Sequence, residues 1–229
     1  MLKVRLRFEK TGPARYISHL DLMRTFQRAF RRAGLPLAYS EGFNPHPYLS
    51  VARPLPVGVD SVCELLDFGL NENSEFEIRN SELETLPGRI NAALPLGLKV
   101  TEAYPATRKC QEIAWAVYWM ELEWEEAVSE GGLQALRSLL DGRPLPVVRK
   151  SKKGMVEIDA AALTGGVSIA SPDERRVVIQ AALAAEETSL NPGTLLEALL
   201  AAAGEAFMPW ARAAVTRLEL VDDTGKVFR

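Results

Sequence analysis

His19 and His46 are the only histidines in the chain, and both fall in its first fifty residues, beside its densest cluster of arginine. An imidazole changes charge near neutral pH, so it can move a proton during phosphodiester chemistry or ligate a metal. His19 lies in RYISHLD, in the first turn and on the core side of a predicted helix. There the helix N-terminus disfavours the imidazolium and keeps the ring neutral. His46 lies in SEGFNPHPYLS, where the two prolines push Asn44 and His46 toward extended conformations and stiffen the segment. A stiff arm loses little entropy when its side chains hold a ligand. The two histidines with Asp21, Glu41 or Glu64 match no metal-ligand spacing, so no metal is expected.

The arginines offer a second chemistry. At 100° per residue, Arg24, Arg28, Arg31 and Arg32 gather on one side of the helix and Met23, Phe26, Phe30 and Ala33 on the other. The arginine row is about 12 Å long at 1.5 Å per residue. Guanidinium groups fork onto phosphate oxygens and stack on bases, which suits an RNA backbone. A row of this kind can equally be a solvated face paired with acids. Residues 1–60 hold ten cations against four acids, a charge of +6, so the remainder of the −3 chain carries −9. Such segregation favours an anionic partner for the basic part. The expected nucleic-acid contacts are Arg15, Arg24, Arg28, Arg31, Arg32 and Arg53, the arm residues Phe43, Asn44 and His46, and Lys150, Lys152 and Lys153 at a later turn.

These groups need a frame. KVRLRFEK alternates as a half-buried strand, with Val4, Leu6 and Phe8 on one side and Lys3, Arg5, Arg7 and Glu9 on the other. Ser18 is a helix N-cap with Asp21 in the capping-box position, and Gly34 stops the helix. Short strands follow at Leu37–Tyr39, Leu49–Ala52 and Cys63–Leu70, then a helix over 82–94 and a strand at Leu98–Tyr104. A similar order recurs from Ile113: a strand to Trp124, a helix over Gly132–Leu140 and a hairpin over Val147–Ile158. Strand Arg176–Ala184, helix Pro192–Ala203 capped by Asn191 and strand Ala213–Val221 complete it. The predicted fold is α+β, two tandem ferredoxin-like βαββαβ units with antiparallel sheets backed by helices. The domains are expected at 1–107 and 108–229.

With 229 residues, 47% hydrophobic and 25% charged, the chain has enough apolar material for such cores. No apolar run reaches the roughly 18–20 residues of a membrane helix, and a cytoplasmic protein without membrane partner is expected. Cys63 and Cys110 are too few for an iron–sulfur cluster and are expected as free thiols. There is no Walker loop, GxSxG elbow, dinucleotide glycine fingerprint or HExxH, so no cofactor is called for.

The run RYISHLDLMRTFQRAFRRAGLPLAYSEGFNPHP, followed by PLPVGVDS and ELLDF, resembles the radical-SAM-linked protein family. That family is a domain of unknown function encoded beside, or fused to, a cobalamin-binding radical SAM protein. The resemblance is specific over residues 1 to about 70, with KKGMVEID and SLNPGTLLEALL as looser echoes. It implies a radical SAM protein as partner, with the iron–sulfur chemistry on that partner's side. One departure is Tyr48, where the resemblance leads us to expect lysine. The tandem βαββαβ order is also similar to the repeat-associated RNA-processing endonucleases of CRISPR systems, and that likeness would make His19 a general base.

The resulting expectation is a non-catalytic accessory protein that binds RNA and presents it to a radical SAM enzyme. One alternative is a metal-independent ribonuclease using His19 or His46, with arginines stabilising the phosphorane. Another is a protein-interaction adaptor docking through Trp115, Tyr118, Trp119 and Trp124.

Overall fold

The alternation of KVRLRFEK becomes strand β1 (Leu2–Lys10), with Val4, Leu6 and Phe8 fully buried. Burial of each such side chain contributes about 1.5–3 kcal/mol. The computed structural model describes residues 1–71, 80–151, 154–186, 188–203 and 210–229, with backbone alone at 80–82, 135, 139, 150 and 151. Two compact units result, Met1–Glu112 with Arg229, and Ile113–Phe228.

In the first unit β1 is followed by α1 (His19–Arg32), β2 (Leu49–Ala52), β3 (Asp60–Leu70), α2 (Asn80–Asn91) and β4 (Leu98–Pro105). All pairings are antiparallel: β1 lies between β3 and β4, and β2 pairs with the other edge of β3. The spatial order is therefore β4-β1-β3-β2. The expected strand at Leu37–Tyr39 is not a strand. It forms only two isolated bridges, Leu37 to Leu70 and Tyr39 to Pro47, because the prolines at 36, 45 and 47 cannot donate to a continuous ladder.

The second unit runs β5 (Trp115–Glu123), α3 (Glu130–Leu139), β6 (Pro146–Ser151), β7 (Gly154–Asp159), β8 (Thr164–Asp173), β9 (Arg176–Ala184), α4 (Pro192–Ala203) and β10 (Arg212–Val221). Antiparallel pairings give the order β10-β5-β9-β8, and β6 and β7 form a separate hairpin. Asn191 caps α4, accepting from Thr194 N–H at 2.9 Å. Strand β8 was not expected from the sequence. Among the described residues it pairs with β9 alone, and its register shifts twice, between Gly165 and Ser168 and between Ala170 and Asp173. Bulges of this kind, with two glycines and Pro172, erase the alternation that identifies a strand. The aromatic residues weighed as a docking patch are largely packed: Tyr118 and Trp124 are buried, Trp115 is half-buried and only Trp119 is exposed.

The polar side of β1 departs from expectation, since Arg5 is fully buried. Register places Arg5 opposite Asp67 on β3. Its guanidinium donates to both carboxylate oxygens, Nε to Oδ1 at 2.6 Å and Nη2 to Oδ2 at 2.8 Å. Nη2 also donates to the Arg108 carbonyl at 2.9 Å and approaches Cys110 Sγ at 3.2 Å. Residues 108–112, assigned by the sequence reading to the second domain, are thereby held on the first unit. Burial pushes the Cys110 thiol up to about 11, and the negative charge of Asp67 acts in the same direction against the opposing field of Arg5.

Two outcomes follow from this cluster. Asp67→Ala leaves Arg5 buried without its counter-ion and should lower stability by about 3 kcal/mol in urea titrations; an unchanged midpoint would show that Arg5 does not depend on Asp67. Native Cys110 should react with iodoacetamide at pH 8 about a hundredfold more slowly than the same cysteine in urea, because only the thiolate attacks. The folded pKa lies above the thiol's ordinary value, so the cysteine's contribution to stability is intact below about pH 9 and is lost as pH rises through about 11. Peptide mass spectrometry across that range reads the rate.

Candidate functional site

Helix α1 begins because Ser18 accepts from Asp21 N–H at 3.1 Å and donates its own hydroxyl to Asp21 Oδ2 at 2.7 Å. The Ser18 bond comes first, and Arg24 and Arg28 assist, in holding the Asp21 carboxyl below its ordinary value. Leu22, Phe26, Ala29 and Phe30 are the buried face. Arg24, Arg28, Arg31 and Arg32 are all exposed on the remainder of the surface. Arg24 pairs with Asp21 at 3.3 Å, which leaves it partly neutralised. The side chains of Arg28, Arg31 and Arg32 make no ion pair or hydrogen bond among the described residues, which leaves their donors open to solvent or a ligand.

Beside this row is a surface cleft of about 320 Å³, lined by Thr25, Arg28 and Arg32 on one side and by Ala93, Leu94 and Pro95 on the other. Arg89 of α2 fixes the second wall against the helix, donating to the Ala33 carbonyl at 2.7 Å. The turn after that wall closes on Gly97, whose carbonyl accepts from Thr11 N–H at 2.8 Å. Gly97 has φ +90°, and a Cβ there would lie 2.3 Å from the Thr11 carbonyl oxygen. Only glycine satisfies both the turn and the close approach. Thr25 Oγ1 donates to the Asp21 carbonyl at 2.7 Å, so this cleft-lining residue has only acceptor capacity left on its hydroxyl.

The arm is a tied loop. Ser40 N–H donates to the His46 carbonyl at 2.9 Å, Tyr48 N–H to the Ala38 carbonyl at 3.0 Å, and Ser40 Oγ is 3.0 Å from His46 Nδ1. Beyond this neck Phe43 is fully exposed, and Glu41, Asn44 and His46 are exposed, as are Tyr39 and Tyr48 on its flanks. Between Arg32 and Arg53 there is no lysine or arginine, so the arm can supply aromatic surface but no counter-charge for phosphate.

Several expected placements are corrected. His19 is exposed rather than on the core: the buried face of α1 begins only at Leu22, and the neighbouring Leu20 is exposed as well. Neither His19 nor His46 lines the arginine cleft. Arg15 is a structural residue, bonded to Asp60 Oδ2 at 2.9 Å with its guanidinium 5.0 Å from the Tyr16 ring centroid. Arg53 is half-buried in a left-handed conformation, φ 47°, directly before Pro54, its charge acts on Cys110, and it does not line the α1 cleft. Lys150 is on β6, where only its backbone is described, and Lys152 and Lys153 lie outside the described residues. Its neighbour Arg149 donates to the Ser189 carbonyl. Thr25 and the 93–95 wall were not singled out in the sequence. A threonine one turn before Arg28 on the same helix was the available signal, whereas the wall depends on how α2 is docked.

No curated protein matches the chain. Among solved structures, similarity is found to the "Crystal Structure of a Cbf5-Nop10-Gar1 Complex", with TM-score 0.50 and 10% identity over 95% of this chain and 48% of the other. The chain thus spans about half the length of that structure's chain, and the likeness shows a mixed α+β fold alone. Residues 3–192 match a family along most of the length described above, including both the α1 row and the GFNPHP arm. The chain belongs to the family described as "Uncharacterized protein conserved in bacteria (DUF2344)".

Proposed function

We propose that this protein is a non-catalytic RNA-binding module that presents its RNA to a radical SAM partner, on a frame of tandem ferredoxin-like units. The observation that carries the reading is the row of exposed Arg28, Arg31 and Arg32, without ion pairs among the described residues, beside a cleft that Arg28 and Arg32 line. Leaving three cations close together on one helix face costs repulsion, which an anionic backbone relieves. The Phe43 apex adds a stacking surface on a preorganised loop. Both units support the ferredoxin-like frame, since each runs its four shared strands in the order fourth, first, third, second. The radical SAM partnership is supported by the RYISHLD to GFNPHP run and the segments that follow it. His19 and His46 take no catalytic part in this role.

Fluorescence titration of transcribed RNA across a salt series tests the reading. Affinity should fall linearly in log–log form, and Arg28→Ala, Arg31→Ala and Arg32→Ala should each flatten the slope by about one. Phe43→Ala should weaken binding by about 1–3 kcal/mol with the slope unchanged, because stacking releases no counterions. Absence of binding at low salt, or a response indifferent to salt, removes the proposal. Co-purification with the radical SAM protein after nuclease treatment reads the partnership separately.

A further inference from the structure

We infer that the α1 cleft seats one unstacked ribonucleotide, so that the bound RNA is single-stranded at that point; the inference rests on the RNA reading above. The cleft has two chemically unlike walls. Arg28 and Arg32 stand one turn apart, about 6 Å along the axis, and offer forked donors suited to phosphate oxygens. The facing wall, Ala93, Leu94 and Pro95, carries no charge, and the next residue, Leu96, is 85% exposed. A duplex would bring only sugar and phosphate to that wall, because its base faces are covered by stacking. A base out of its stack has an apolar face to lay there, and about 320 Å³ is the scale of a small-ligand site rather than of a helix.

Thr25 narrows the ligand further. Its proton is committed to the Asp21 carbonyl, so within the cleft lining its oxygen can accept but not donate. Phosphate oxygens are acceptors and gain nothing from it, whereas a ribose 2′-hydroxyl can donate to it. The division of labour is phosphate to Arg28 and Arg32, sugar hydroxyl to Thr25, and base against Leu94 and Pro95. Phe43, exposed on its tied loop, is a separate feature that also engages unpaired bases best.

The test compares a short labelled single-stranded RNA, the duplex of the same sequence and the corresponding single-stranded DNA, each with the full chain at one low salt concentration. Single-stranded RNA should bind about tenfold more tightly than the duplex, and more tightly than the DNA. Pro95→Ala combined with Leu96→Ser alters two exposed side chains and should narrow the gap between single strand and duplex. Duplex binding as tight as single-strand binding, DNA binding as tight as RNA, or equal weakening of single strand and duplex by the double variant each overturns the inference while leaving RNA binding intact. No binding of any probe overturns the RNA reading itself.

Discussion

The packing of α1 on its sheet is the constraint from which the site follows. Phe8 of β1 meets Phe26 edge-on, with ring centroids 4.8 Å apart, and Phe30 stacks on Phe68 of β3 at 4.6 Å. Phe26 and Phe30 are adjacent at 5.7 Å. Four rings from two strands and one helix leave α1 a single rotational setting, because any turn about its axis would expose two phenylalanines. The arginine face is therefore a consequence of the aromatic face. Once the rings are buried, Arg24, Arg28, Arg31 and Arg32 have only the surface to occupy.

This explains why α1 could be read from the sequence almost to the residue. Cap, apolar spacing and stop glycine all describe one local object whose partner needs only to be apolar. Helix α4 is legible for the same reason, from Asn191 to Ala203. The arginine cleft is different. Half of it is visible in the helix, but the other half is a turn 60 residues further along, brought there by α2 and Arg89. Local periodicity contains no information about that docking.

Arg5 illustrates a misleading pattern. Its place in an alternating strand implied solvent, but it sits opposite Asp67 in the ladder, and cross-strand pairing depends on register between segments far apart in the chain. Asp67 was the clue, as one of two acids, with Glu64, in the otherwise apolar run CELLDFGL. A buried guanidinium needs several acceptors, and the Arg108 carbonyl adds to the set that Asp67 begins. His19 errs in the opposite direction. Its angular position is on the core side, but angular position does not say where along the helix packing begins, and the first buried residue is Leu22.

Gly97 ties two distant parts of the first unit together. Because its carbonyl is bonded to Thr11 and its α-carbon has no room for a side chain, the end of β1 and the apolar lip of the cleft move as one piece. A methyl group added there would press on the backbone of residue 11 and displace the lip from Arg28 and Arg32 without touching either. The width of the groove is thus governed from a position that itself contacts nothing in it.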